Sequence, residues 1–207
     1  MDADLHLLAN LEQMLALGRA VELSADGCER VHHASSGLAL MPGAFNPAHE
    51  GHWQLAAAGQ TVLGREVAFE LSLANVDKRD LSMDEVRRRA RQFQARSSLW
   101  ITRAPTFVQK AELFPQSVFV VGADTAERIL QARYYSPGED SVAQALRFLQ
   151  ERECRFLVGC RVDAGKRVVR LADLPIPAEL VTLFSEIPPE VFRVDLSSTE
   201  LRQRSDL

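Results

Sequence analysis

In the stretch "GAFNPAHEGHWQLA" (43–56), His49 and His52 stand three residues apart around a glycine, where an apolar run hands over to a helical pattern. Imidazoles that close together either ligate a metal or hydrogen-bond to an anion. A zinc-protease helix requires H-E-x-x-H, whereas here the second histidine comes one residue early and no third ligand is apparent. His32 and His33 lie in a polar stretch and read as solvated, so no metal ligand set is expected. Spacing of i, i+3 in a first helical turn puts both rings on one face, and Gly51 between them clears a side chain from that face. The helix N-terminus adds unsatisfied N–H groups and the positive end of a dipole. A cationic notch of this kind suits a nucleotide phosphate.

A second anion site is expected near the C-terminus. In "DLSSTELRQRS" (195–205), Ser197 and Glu200 have capping-box spacing, which predicts a short helix beginning near Ser197. Its first N–H groups, with the hydroxyls of Ser198 and Thr199, would bind oxygen anions. Arg202 lies four residues after Ser198, on the same face, and its planar fork stays charged. The usual glycine-rich phosphate loops, G-x-x-x-x-G-K-[ST] and G-x-G-x-x-G, do not occur after any strand.

These residues need a scaffold, and the pattern of the chain supplies one. Strands are expected at "GLALM" (37–41), "EVAFELSL" (66–73), "LWITR" (99–103), "SVFVVG" (117–122) and "RFLVGCRV" (155–162), with "DAGK" as a hairpin turn into "RVVRL". Between them lie helical segments: "EGHWQLAAAGQTVL" stopped by Gly64, a helix opened by Ser82 and Glu85 and running to about Ser97, "TFVQKAELF", "ADTAERILQARYY" and "SVAQALRFLQERE". Alternation of this kind implies βαβ units. The fold expected is α/β, a Rossmann-like doubly wound parallel sheet of about five strands with helices on both faces. Ligands then bind beyond the carboxyl ends of the strands, at the switch point. Residues 1–36 read as an appended N-terminal helix and linker, and residues 37–207 as the main domain.

"GAFNPAHEGH" resembles the G-x-F-x-P-x-H-x-G-H signature of the nucleotidyltransferase superfamily, and "LSSTELR" (196–202) resembles its I-S-S-T-x-I-R phosphate loop. "FVVGADT" is similar to the strand-then-G-x-D segment of nicotinate- and nicotinamide-nucleotide adenylyltransferases. The resemblance implies transfer of AMP from ATP to a small phosphorylated acceptor, with nicotinate or nicotinamide mononucleotide favoured, and release of pyrophosphate. It implies that His49 and His52 contact the nucleotide phosphates and that Gly43 and Phe45 form a turn which lets ligand approach the backbone. It further implies that Asp124 contacts the nucleotide, that Ser198, Thr199 and Arg202 bind the triphosphate, and that Mg²⁺ enters with that triphosphate. Two positions depart from the family pattern: Ala44 replaces a common Ser or Thr, removing a hydroxyl from the acceptor side, and Pro42 replaces a frequent glycine. A CTP-using or other-acceptor transferase of the same fold, or a catalytically silent nucleotide-binding module, remain alternatives.

Other charged residues have candidate roles by position. Lys78 and Arg79 follow the second strand at the carboxyl edge, where a phosphate would lie; Arg103 and Lys110 flank the end of the third. Tyr134 and Tyr135 are candidates for stacking on a base or for the core. "VRRRARQFQAR" (86–96) reads as a solvated helix face. The 207 residues are 46% hydrophobic and 25% charged with a net charge of −4, which argues against a broad nucleic-acid or anionic-membrane surface. No signal peptide or run of about 18 apolar residues is present. Cys28, Cys154 and Cys160 form no C-x-x-C and read as reduced thiols, the last two in the core. The expected location is cytoplasmic, and the sequence leaves open whether the chain self-associates.

Overall fold

A computed structural model describes residues 11–76, 79–131, 141–162 and 168–192. After a short helix α1 (Leu11–Ala16), the chain forms β1 (Ala20–Leu23), β2 (Glu29–His32), β3 (Ala39–Pro42), α2 (Glu50–Leu63), β4 (Ala68–Ser72), α3 (Met83–Ala90) and β5 (Leu99–Thr102). It continues through α4 (Phe107–Leu113), β6 (Val118–Gly122), α5 (Ala123–Ile129), α6 (Ser141–Glu151), β7 (Arg155–Gly159), β8 (Arg161–Val162), β9 (Val168–Val169) and β10 (Phe184–Ile187).

The main sheet runs β10-β7-β6-β3-β4-β5-β1-β2. From β10 to β5 all neighbours are parallel; β1 pairs antiparallel with β5 and β2 with β1. Taking the parallel strands in chain order, their spatial order reverses between β3 and β6, the arrangement whose switch point holds ligand in doubly wound sheets. The expected Rossmann-like fold is therefore present, but the sheet has eight strands rather than about five.

Both faces of the sheet are covered. Ala39 and Met41 of β3, Val120 of β6 and Leu157 of β7 pack with α1, α2 and α3 on one face. Leu40, Phe119, Val121, Phe156 and Val158, one residue out of phase, pack with α4, α5 and α6 on the other. This strict period of two is what a strand with both faces buried requires. Cys154 and Cys160 are buried thiols as expected, and Cys28 is exposed.

Three stretches differ from their sequence expectation. Residues 20–23 and 29–32, read as helix tail and linker, form a hairpin that extends the sheet past β5. Leu11, Leu15 and Val21 are essentially fully buried in the core, so this hairpin is part of the sheet's own packing. The edge strand β10 also went unforeseen, because "FSEI" is four residues long with only its ends buried. Finally, α3 ends at Ala90 and tightens into a 3₁₀ turn over Arg91–Phe93, and Ala95 takes a left-handed φ of 56° as the chain turns toward β5. By contrast, α2 stops where expected, with Gly64 at φ 64° and its N–H donating to Gln60 O. The β8–β9 pairing is the expected hairpin, although its "DAGK" turn lies outside the described residues.

Candidate active site

The switch point puts the loop after β3 beside the strand end of β6. Gly43 donates its N–H to Glu70 O at 2.9 Å, prolonging the β3–β4 pairing. A Cβ at Gly43 would stand 2.5 Å from Cε1 of Phe45, so only glycine fits beneath that ring. Phe45 has a left-handed φ of 47° and a buried side chain. Its ring meets Phe69, Phe93 and His52 edge-on, with centroids at 5.5, 5.0 and 5.2 Å. The non-glycine positive φ persists because this aromatic cluster fixes the side chain.

Helix α3 holds the same loop from outside. Its N-cap is Ser82, whose side chain accepts from Glu85 N; the Glu85 carboxylate turns to Arg88 and Arg89 instead of closing a capping box. Arg89 donates to Ala44 O at 2.6 Å, and Arg88 donates to Asn46 Oδ1. Gln92 bridges two further points, donating to Phe45 O at 3.1 Å and accepting from Ala48 N at 2.8 Å. Ala44, Phe45, Asn46 and Ala48 thus each have a hydrogen-bond partner on α3 or the turn that follows it. The basic run is correspondingly not a solvated face throughout: Arg89 is only 7% exposed. A signal for this lay in its spacing, since Arg89 falls three residues after Val86 and four before Phe93, on the buried stripe.

The loop delivers His49 as N-cap of α2 and His52 as its third residue. The His49 backbone N–H donates to Nδ1 of His52 at 3.1 Å, which assigns the proton of the neutral ring to Nε2. The two rings stack with centroids 3.8 Å apart. Burial, and secondarily the neighbouring His49, lowers the His52 pKa from 6.5 to about 4. His52 is therefore neutral at pH 7, and the expected cationic notch is corrected in this respect: what His52 offers is an oriented N–H donor. Gly51 is the second residue of the same turn, and Asp124 occupies the first turn of α5, directly after β6, the strand adjoining β3.

A cleft of about 300 Å³ adjoins the loop and is lined by Gly43 and Ala44, the end of β4, Arg89 of α3, Phe107 of α4 and Arg128 of α5. At its floor Lys110 directs all three ammonium protons inward, to Glu70 Oε1 at 2.9 Å, Glu70 Oε2 at 2.7 Å and Ala104 O at 2.7 Å. Thr102 adds a 2.6 Å hydrogen bond to Glu70 Oε1. Lys110, a candidate phosphate ligand by position, is thereby corrected to one half of a buried ion pair. Arg103 likewise pairs with Asp80 on the surface. Among the described residues, no group of three or more His, Cys, Asp or Glu side chains is placed to hold a metal ion.

Thus His49, His52, Gly43, Ala44, Phe45, Gly51 and Asp124 gather at the carboxyl ends of β3 and β6. Lys78, Ser197, Ser198, Thr199 and Arg202, with Tyr134 and Tyr135, lie outside the described residues. A family model described as Cytidylyltransferase-like matches residues 40–204, which spans the histidine loop, the cleft and the C-terminal segment alike. The chain belongs to the cytidylyltransferase-like family. Membership makes it a nucleotidyltransferase in general terms, on a Rossmann-like scaffold. No curated protein matches the chain. Among the described residues no helix is long and apolar enough to cross a membrane.

Proposed function

We propose that this cytidylyltransferase-like protein transfers AMP from ATP to nicotinate or nicotinamide mononucleotide, or a closely similar phosphorylated acceptor, and releases pyrophosphate in the cytoplasm. The observation that carries the reading is the Nε2–H donor of His52, fixed at a helix N-terminus on the switch point and delivered by a loop whose Gly43 and Ala44 line the cleft. In the reaction an acceptor phosphate oxygen attacks the α-phosphorus in line. One P–O bond forms, the P–O bond to pyrophosphate breaks, and no covalent enzyme intermediate is needed. The protein's task is then positioning and stabilisation of charge on the α-phosphoryl oxygens.

Each residue has a part in that task. His52 donates from Nε2, with His49 stacked beside it and the first N–H groups of α2 adding donors. Gly43 and Gly51 keep the approach free of side chains, and Asp124 meets the nucleotide. The family pattern and the segment's sequence assign the C-terminal Ser197, Ser198, Thr199 and Arg202 to the triphosphate, and Lys78 is assigned a further phosphate contact. The donors at the histidine loop are N–H groups, which suit phosphate oxygens, so Mg²⁺ fits as a passenger bound to the triphosphate and its waters. It would neutralise charge on the β- and γ-phosphates. The cleft beside Ala44 receives the acceptor.

A pyrophosphate-release screen of ATP and CTP against a panel of phosphorylated acceptors tests this reading. Turnover with ATP and a pyridine mononucleotide is expected. Turnover confined to CTP, or to a non-pyridine acceptor such as a phosphopantetheine, would overturn the adenylyl or pyridine assignment while leaving the family reaction intact. ATP binding with no turnover on any acceptor would make the protein a silent nucleotide-binding module.

A further inference from the structure

We propose that Arg89 is the residue of the cleft that reads an anionic acceptor, binding an oxygen of the acceptor's phosphate. The inference rests on the cleft being the acceptor side of a nucleotidyltransferase. In the sequence it reads as one arginine of a solvated basic helix face.

The cleft wall beside the histidine loop is poor in donors. Pro42, Gly43 and Ala44 line it and carry no side-chain donor. The floor contributes no net charge, because Lys110 and Glu70 neutralise one another and Lys110 has no proton left to donate. Arg89 stands against this wall, bonded to the Ala44 carbonyl and itself lining the cleft. Its guanidinium is held at three points: Nε and Nη2 donate to Glu85 Oε1 at 2.8 and 2.6 Å, and Nη1 donates to Ala44 O at 2.6 Å. An arginine carries five N–H donors, so these bonds leave two. A guanidinium fixed so firmly presents the rest without further ordering cost, which is the condition for selective anion binding.

The charge balance favours an anion as well. Glu85 serves two guanidiniums, accepting from Arg88 at 2.8 and 2.7 Å as well as from Arg89. Those hydrogen bonds, Arg88 first and Arg89 next, lower its pKa to about 2, so it stays ionised and the three groups together carry one surplus positive charge. Arg128 adds a second cation to the lining from α5, and no ion pair involves it among the described residues. A small ligand with a compact charged group at one end fits such a wall, and a phosphate monoester is that ligand. A planar fork meeting two phosphate oxygens is the geometry in which arginine exceeds lysine.

The test compares a pyridine mononucleotide with its dephosphorylated riboside, titrated calorimetrically into the full-length protein, with inorganic phosphate as a third probe. For Arg89→Gln, mononucleotide affinity is expected to fall by about 10- to 100-fold, the scale for one buried charge-assisted contact, with riboside affinity nearly unchanged. Inorganic phosphate should weaken in parallel. Arg89→Lys, which keeps the charge and gives a second variant should the glutamine form fold poorly, is expected to recover part of the loss. Equal losses for mononucleotide and riboside would overturn the proposal, since bracing Ala44 alone would loosen both. Failure of the two readings is distinguishable. Wild-type turnover with an Arg89-independent mononucleotide preference removes this inference alone. Arg89-dependent phosphate binding without any turnover removes the proposed reaction and keeps the anion site.

Discussion

Because the His49 backbone N–H donates to Nδ1 of His52, that ring can act toward a ligand only through Nε2, and it does so as a neutral donor at physiological pH. The consequence for stability has a definite sign. Unfolding returns the His52 pKa from about 4 to its ordinary 6.5, so between those values the unfolded chain binds the additional proton. The stabilisation is complete above pH 6.5 and is lost as pH falls toward 4, by up to ~3 kcal/mol. Denaturation curves from pH 4 to 7 should show this slope in the wild type and lose it in His52→Ala; an unchanged slope would contradict the depressed pKa. In turnover, His49→Ala and His52→Ala should each lower kcat by roughly 10²- to 10³-fold, the scale for one transition-state donor. Near-normal turnover by either variant would remove the phosphate role from that histidine. Gly43→Ala tests the turn itself. Its methyl would meet a Phe45 ring that the aromatic cluster leaves no room to retreat, at a cost of about 1–3 kcal/mol and with displacement of the loop that carries both histidines. Thermal melting and kcat of that variant should fall together.

Between β3 and α2 the histidine loop has no regular structure of its own, so α3 and its terminal turn supply its rigidity. Gln92 contributes most directly, since one amide satisfies both a carbonyl and an N–H of the loop. Gln92→Leu removes both partners together and leaves Phe45 O and Ala48 N without them, a cost of about 1–3 kcal/mol. Hydrogen exchange at Ala48 should quicken in this variant and kcat should fall, while the far edge at β10 keeps its protection. Uniform loss of protection across the sheet would mean that Gln92 supports the fold at large. This element also shows what the sequence could reveal. The strands β3 to β7 were legible because each is an apolar run between turn residues, and the histidine pair because its spacing and helix-start position are local facts. Arg89 and Gln92 were not, since a run of five arginines around an apolar stripe looks like solvated surface until its neighbours are known. The Glu70–Lys110 pair joins residues 40 positions apart and leaves no local trace. The hairpin β1–β2 was hidden by "AVEL" continuing the apolar pattern of the preceding helix, and by a polar turn that resembles a linker.

At the scale of the whole molecule, the β1–β2 hairpin completes the sheet. The family match begins at residue 40, whereas the sheet begins at Ala20. Val21, Glu22 and Leu23 pair with Ile101, Trp100 and Leu99, closing the β5 edge that the parallel portion would otherwise leave open. Ala20 packs on one face of the sheet with Trp100, while Leu11, Leu15 and Val21 pack on the other, all almost wholly buried. Three such large apolar side chains, at about 1.5–3 kcal/mol each, are worth a sizeable part of the 5–15 kcal/mol by which a domain of this kind is usually stable. An uncovered β5 would also present unpaired N–H and C=O groups beside an apolar surface, the arrangement that invites edge-to-edge association. A variant lacking residues 1–34 should therefore melt well below the full chain and elute as higher oligomers on size exclusion, even though it retains every residue of the histidine loop. A monomeric truncated protein with an unchanged melting temperature would show that residues 37–207 fold alone and that the hairpin is only an attachment. If instead the truncated protein associates, Arg30 and His32 of β2, which meet Glu22 across the hairpin, become part of what keeps the sheet's outer edge in water rather than against a second copy.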